Sequence, residues 1–330
     1  MNLPERIFRR LAGGGQVSGE SLARELGVSR SAVWKAIRQL RASGAGVTGV
    51  RHRGYALARP VTALASQTIE ASIPDCWQPH VAALAVRWQV ESTNTVLLGE
   101  LPRQSQRASV LLAEIQTAGR GRQQRSWQSS LGGSLSLSIA WQFSSMPPMP
   151  GSLSLAIGIA SRRALGTFGA RDVMLKWPND LQVRGAKLGG ILLEMRAEAG
   201  GCAQVVIGIG INIALADAQR QALIDAGTRA ADLAHDLGLI DVDRNQLAGR
   251  IIGEVICALL EFERAGFGGF ATEWRGADAL FGREVRVYNG DDVSVGKAMG
   301  VDDTGQLLLA TADGATRALL SGDVSVRVQP

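Results

Sequence analysis

The sequence is poor in the residues that staple or metallate a small fold. It has three cysteines (Cys76, Cys202, Cys257) and three histidines (His52, His80, His235). No CxxC pair occurs and the spacings are wide, which argues against a disulfide framework or a structural zinc site. Each cysteine is expected as a small buried hydrophobe. No Ser/His or Cys/His constellation stands out, so covalent catalysis by a side-chain nucleophile is not indicated. No stretch approaches the roughly 18 uncharged apolar residues of a membrane helix. The start, Met1-Asn2-Leu3-Pro4-Glu5, leads into charges and glycines rather than a signal-peptide core. A cytoplasmic chain without a membrane partner is the expectation. No GxxxxGK[ST] phosphate loop is present.

What is present is a chain of 330 residues with 46% hydrophobic and 20% charged residues. That is enough for two or three domains with sizeable cores. The net charge of +5 is unevenly spread: residues 1–59 hold 11 of the Lys+Arg and 3 of the Asp+Glu, a local +8 against −3 for the rest. A small basic segment on a near-neutral body suggests a nucleic-acid module attached to something else.

That segment reads as three short helices. The first spans residues 5–12 and stops at Gly13-Gly14-Gly15. The second spans 20–26 and breaks at Gly27. The third is capped by Ser29 and reaches Ala42. Val33, Ile37 and Leu40 form one apolar stripe on the third helix, with Ser31, Trp34, Lys35 and Arg38 opposite. A hairpin over 46–57, tipped by Arg51, His52, Arg53 and Gly54, completes a winged helix-turn-helix. Candidate DNA contacts are Ser29, Arg30, Ser31, Trp34, Lys35, Arg38, Arg51 and Arg53. A basic three-helix unit used for protein contacts is the blander alternative, and Trp34 has packing against the wing as its other role. Arg59-Pro60 marks a linker.

From about Val81, apolar runs alternate with helical stretches, and five motifs sit at the ends of those runs. Glu91-Ser92-Thr93-Asn94 offers short neutral donors and acceptors, suited to a urea-like group or to a helix cap. Gln116-Thr117-Ala118-Gly119-Arg120-Gly121-Arg122-Gln123-Gln124-Arg125-Ser126-Trp127 combines glycines that admit an anion closely with arginines that neutralise it; a basic surface loop is the alternative. Trp127 suits a nucleobase stack or the core equally. Lys176-Trp177-Pro178-Asn179-Asp180 puts a cation and a carboxylate at a strand end, where Asp180 is a candidate Mg²⁺ contact or a turn cap. Lys187-Leu188-Gly189-Gly190-Ile191-Leu192-Leu193-Glu194 opens a strand with a lysine and two glycines. Gly208-Ile209-Gly210-Ile211-Asn212 closes an apolar strand, without the third glycine of a dinucleotide fingerprint.

Taken in this order behind a winged helix, these motifs resemble the biotin–protein ligases, and the bifunctional type that also represses the biotin operon most of all. The resemblance covers nearly the whole chain. It implies an α+β multidomain fold: a winged helix-turn-helix DNA-binding domain (1–60), a class II tRNA-synthetase-like mixed-sheet catalytic domain (61–275) and an SH3-like C-terminal β-barrel (276–330). Short strands separated by Asn289-Gly290, Thr304-Gly305, Asp313-Gly314 and Ser321-Gly322 fit the last of these. By motif, Ser92, Thr93, Asn94 and Gln116 match biotin head-group contacts. Arg120, Gly121 and Arg122 match the loop folding over the ligand, and Lys187 with Gly190 matches the surroundings of the biotin carboxylate. Trp127 matches the adenine-stacking position. Lys176, Asn179, Asp180, Asn212 and Arg327 match the ATP side, joined there by Arg120 and Arg122. Two departures stand out: Gln123-Gln124 replaces an Arg-Gly pair, and residues 129–135 lack a Pro and an Asn.

The implied chemistry is condensation of biotin with ATP to biotinyl-5'-AMP, then transfer to a lysine of the biotin carboxyl carrier protein of acetyl-CoA carboxylase. Bringing a carboxylate to an α-phosphate needs cations, here Arg120, Arg122, Lys176, Lys187 and Mg²⁺. Lys187, Arg122 and Asp180 are the catalytic candidates, Asp180 as the base for the incoming amine. The resemblance also implies an adenylate-bound homodimer on biotin operator DNA. A DNA-binding biotin sensor without ligase activity and a lipoate ligase or octanoyltransferase are the alternatives.

Overall fold

The computed structural model describes residues 1–50, 54–100, 107–147, 149–197, 203–290, 292–321 and 324–328. Its N-terminal unit begins with α1 (Leu3–Ala12), whose first turn is capped by Asn2 accepting from the Glu5 amide at 2.9 Å. In α2 (Gly19–Leu26), Ser18 caps and Gly27 stops the helix at φ +68°, a left-handed turn that favours glycine. Ser29 caps α3 (Arg30–Ala42), which buries Val33, Ala36, Ile37 and Leu40 on one stripe. Strands β1 (Val47–Val50) and β2 (Gly54–Leu57) pair antiparallel as the wing. The expected helix-turn-helix and hairpin are therefore both present, with α1 starting two residues early. The wing tip, with candidate contacts Arg51 and Arg53, lies outside the described residues.

The central unit is built on a seven-stranded sheet. Its strands are β3 (Val81–Val90), β4 (Ala108–Gln116), β5 (Ser134–Phe143), β6 (Met174–Lys176), β7 (Asp180–Val183), β8 (Ala186–Ala197) and β9 (Ala203–Asn212). The order is β3-β4-β5-β9-β8-β7-β6; β3 and β4 run parallel and every other pair antiparallel. Strand alternation separates the two faces. Leu135, Leu137, Ile139, Ile207, Ile209 and Ile211 belong to the main core. That core also takes in α4 (Ser66–Ser72), α6 (Leu153–Thr167) and the 22-residue α9 (Arg244–Ala265), the last two packed on each other. The opposite face carries small residues: Ser136 pairs Gly210, Ser138 pairs Gly208, and Gly190 pairs Gly210 on the other side. Helix α5 (Thr93–Gly99) and the flap, residues 117–127, cover this small-residue face.

Helices α7 (Asp217–Asp225), α8 (Leu233–Leu237) and α10 (Ala271–Ala277) complete the body. A five-stranded antiparallel sheet follows, made of β10 (Glu284–Asn289), β11 (Asp292–Val301), β12 (Leu307–Ala310), β13 (Thr316–Leu319) and β14 (Val324–Val328), in the order β13-β12-β11-β10-β14. Its inner residues Val285, Ala298, Leu307 and Leu309 belong to the same core as the central sheet. The winged helix has its own core, into which Leu131 inserts from the central unit. One cysteine expectation is corrected: Cys76 is exposed and Cys257 only half-buried, because they sit on a surface loop and the outer side of α9; Cys202 lies outside the described residues.

Candidate active site

The small-residue face gathers most of the candidate residues. Thr93 and Asn94 open α5 and are buried, at 3% exposure each. Ser92 occupies the cap position but makes no capping bond, so the helix-cap reading of this motif does not account for it. Gln116 Oε1 accepts from the Thr93 amide at 2.8 Å and from its hydroxyl at 3.1 Å. The Ser138 hydroxyl lies 2.6 Å from both Thr93 Oγ1 and Asn94 Oδ1. A Cβ at Gly208 would fall 2.5 Å from Asn94 Oδ1, so only glycine leaves room for this amide. The result is a small neutral polar cradle, able to bond a ureido group without burying a net charge.

The flap closes beside it. Gly121 and Arg125 pair at 2.7 Å, and the Trp127 amide donates to the Gly119 carbonyl at 2.8 Å. A Cβ at Gly119 would clash with Trp127 O at 2.5 Å. The Trp127 indole lies on Gly210, where a Cβ would sit 2.4 Å from the ring, and its Nε1–H is buried with no protein partner. Arg120 pairs with Glu194 at 2.6 Å. Arg122 donates to Asn179 Oδ1 at 3.3 Å and to the Ser321 and Val324 carbonyls at 2.8 and 3.4 Å, tying the flap to the C-terminal sheet.

The charged side of the site is continuous with this face. Lys187 Nζ contacts Asp180 Oδ1 at 2.6 Å, and a Cβ at Gly190 would lie 3.2 Å from that ammonium and 3.6 Å from the carboxylate. Asp180 is the register partner of both Lys176 and Gly190. Burial pushes the Lys176 ammonium below the usual lysine range; Asp180 pulls it back, while Lys187, Arg125 and Arg327 lower it further. Lys187, Arg125 and Arg327 thus lie near enough to act on Lys176, a field that suits a polyanion. Arg327 lies over the Tyr288 ring at 5.7 Å and lines a cavity of about 480 Å³ with Gln123, Gly290 and Ser325, next to the flap. Asn212 is placed differently: it is 3% exposed, and its amide donates to the Lys187 and Ala231 carbonyls at 3.3 and 3.0 Å. It braces the loop beside Lys187.

On α3, Ser29, Arg30, Ser31, Trp34, Lys35 and Arg38 are all exposed. Trp34 is 51% exposed and carries the Arg38 guanidinium of its own helix 4.8 Å above its ring.

Sequence comparison matches three families in series: an HTH domain over residues 5–56, the biotin/lipoate A/B protein ligase family over 86–212, and the biotin protein ligase C-terminal domain over 280–327. The chain is 37% identical to the bifunctional ligase/repressor BirA of Escherichia coli over 328 residues, covering 98% of this chain and 97% of that protein. It belongs to the bifunctional biotin ligase/repressor family. A biotin–[acetyl-CoA-carboxylase] ligase of Mycobacterium tuberculosis is 36% identical over 221 residues, 65% of this chain and 77% of that protein. Among solved structures, the biotin protein ligase from Aquifex aeolicus in complex with biotin and ATP aligns with a TM-score of 0.62 and 27% identity, over 75% of this chain and all of that one.

The described residues offer no multi-carboxylate cluster for a resident magnesium ion. No group of three or more His, Cys, Asp or Glu side chains converges among the described residues, and Asp180 already holds Lys187. Sequence reading passed over two residues that matter to the site. Glu194 bridges Asn94 and Arg120 from the end of a motif otherwise read for its lysine and glycines. Ser138 sits mid-strand in an apolar run, and only its alternation with Ser134 and Ser136 signalled a polar face.

Proposed function

We propose that this chain joins the biotin carboxylate to the α-phosphate of ATP, releasing pyrophosphate, and passes the biotinyl group from the adenylate to a lysine amine, releasing AMP. The observation that carries this is the placement of a neutral polar cradle at Asn94 and a cation cluster at Lys176 and Lys187 on one glycine-floored sheet face, under one flap. Ser92, Thr93, Asn94 and Gln116 take the ureido head. Arg120, Gly121, Arg122, Lys187 and Gly190 meet the carboxylate. Trp127, Lys176, Asn179, Asp180 and Arg327 meet the nucleotide, with Asn212 acting through the Lys187 loop. Magnesium arrives on the ATP phosphates, with Asp180 as its candidate protein contact, since no group of three or more His, Cys, Asp or Glu side chains converges among the described residues. Asp180 serves the attacking amine, so Asp180→Asn slows transfer.

The acceptor is the biotin carboxyl carrier protein of acetyl-CoA carboxylase. The second activity is repression: the exposed face of α3 reads biotin operator DNA, and the adenylate-bound chain pairs with a second copy. Past Ile191, β8 runs on to Ala197 with β9 on one side and no strand among the described residues on the other, which supports pairing there. Incubation with ATP, a carrier fragment and labelled biotin or labelled lipoate tests the ligase reading. Biotin transfer is the expected result. Lipoate transfer, or biotin binding without transfer, overturns it. A gel shift with and without biotinyl-AMP tests the repressor half.

A further inference from the structure

Glu194 lies on β8, on the sheet face that carries Gly190 and Gly208, and one of its oxygens does two things. Oε2 accepts from Asn94 Nδ2 at 2.9 Å and from Arg120 at 2.6 Å. The second Asn94 N–H reaches the Leu192 carbonyl at 3.4 Å. Both amide hydrogens are thereby spent on β8, so Asn94 presents its oxygen, and not its nitrogen, to Ser138 and the cradle. A carboxylate is acceptor-only, so an Asn94 flipped by half a turn would set oxygen against oxygen at Glu194. Meanwhile Arg120, from the flap, is anchored by a charge-assisted bond to the strand beneath the pocket.

From this we infer that Glu194 is a positioning residue of the ligase site: it fixes Asn94 as an acceptor for a ligand N–H and holds the Arg120 end of the flap over the same pocket. The inference rests on the assignment of this pocket to biotin. A ureido ring carries two N–H donors and one carbonyl acceptor. An Asn94 locked with its oxygen inward meets one of those donors, and it would repel a ligand that offers only acceptors there. The same carboxylate links filling of the cradle to closure of the flap, because both contacts end on one oxygen.

The two contacts separate by substitution in the full-length protein. Glu194→Gln keeps a neutral acceptor for Asn94 but removes the charge that anchors Arg120. Glu194→Ala removes both. Biotin affinity is read by calorimetry without ATP, and adenylate lifetime by dilution into unlabelled biotinyl-AMP. Glu194→Ala is expected to weaken biotin binding about tenfold or more. Glu194→Gln is expected to stay within about threefold of the parent for biotin, yet to release adenylate as fast as Glu194→Ala, because it loses the charge-assisted bond. Biotin binding by Glu194→Ala equal to the parent overturns the inference. So do equal losses of biotin affinity in both variants together with equal falls in melting temperature, which describe a merely structural residue. Absence of biotin binding by the parent protein would instead remove the pocket assignment beneath it.

Discussion

The Leu131 amide donates to the Ser43 carbonyl at 2.9 Å, joining the segment that follows the ligand flap to the residue that ends the DNA-reading helix. The Leu131 side chain is 3% exposed and sits in the winged-helix core with Ile7, Phe8 and Leu40. A Cβ on Gly44, at φ +85°, would press within 2.8 Å of Ser130, so the two units meet backbone to backbone. Leu131→Ala opens a cavity in that core and is expected to cost the N-terminal unit about 2–4 kcal/mol. Urea unfolding followed by tryptophan fluorescence gives the number. The operator gel shift should weaken with it, and an unchanged midpoint would refute the role given to Leu131.

Arg122 anchors the flap at its other side. Its bonds to the Ser321 and Val324 carbonyls and to Asn179 tie residues 117–127 to the C-terminal sheet. Arg122→Gly removes these and the cation together. Adenylate should then leave the open flap at least about tenfold faster, as expected for loss of hydrogen bonds from a charged group. The readout is biotinylation of lysines on a bystander protein mixed with the enzyme and ATP. If labelling stays confined to the carrier, the flap does not depend on this latch.

Much of this arrangement was legible in the sequence, and the boundary of what was not is physical. Ser29 as a cap, Gly27 as a stop, and Val33, Ile37 and Leu40 as a stripe are local signals with one reading each, and the structure has all three. The motifs at strand ends pointed to residues that the fold gathers on one sheet face, because glycine and short polar residues interrupt an apolar run there. What escaped depends on pairing across the chain. Glu194 looks like any strand-end carboxylate until Asn94, a hundred residues earlier, is folded against it. Leu131 reads as a lone apolar residue in a polar loop, and nothing local says that its core belongs to another domain. Asn212 read as a ligand contact, and nothing local announced that its amide nitrogen would reach the Lys187 and Ala231 carbonyls that tertiary folding brings to it. Gln123 and Gln124 adopt φ +53° and +57°, a turn the side chains alone did not announce.

Lys176, if it meets ATP as proposed, should make the enzyme sensitive to alkaline pH. Burial, then the nearby Lys187, Arg125 and Arg327, hold its pKa down, against the pull of Asp180. A lysine whose folded pKa lies below its unfolded value of about 10.4 costs stability wherever both states are charged. That cost is full below the lowered folded value and disappears as pH passes the unfolded value, so this group's contribution grows more favourable with rising pH across the window. On the proposed assignment ATP meets the charged form, so its binding should weaken across the same window. Lys176→Met should therefore hold or raise the melting temperature at neutral pH while raising the KM for ATP by about tenfold or more. It should also lose the alkaline limb of the KM profile. The same limb in both proteins would show that another group titrates.

The linker between the DNA-binding and catalytic units is held by a buried ion pair. Glu114 and Arg244 meet at 2.8 Å, each with its side chain 1% exposed. Arg244 also donates to the Thr62 carbonyl at 2.7 Å and the Ser134 carbonyl at 3.2 Å, and Glu114 accepts from the Leu64 amide at 2.7 Å. The segment 62–64 is therefore bonded to both members of the pair, Thr62 to Arg244 and Leu64 to Glu114. Arg59, immediately before Pro60, has its pKa lowered by burial and then by Arg244. Removing Glu114 alone strands a buried guanidinium beside another one. Glu114→Ala should cost about 3–5 kcal/mol, whereas the added change Arg244→Met takes away the stranded charge and should recover part of that loss. The four-protein cycle in guanidinium chloride measures the coupling directly. Glu114→Ala unfolding within about 1 kcal/mol of the parent, or a double variant worse than the two single losses added, would show that the linker is held by its backbone contacts and not by the pair.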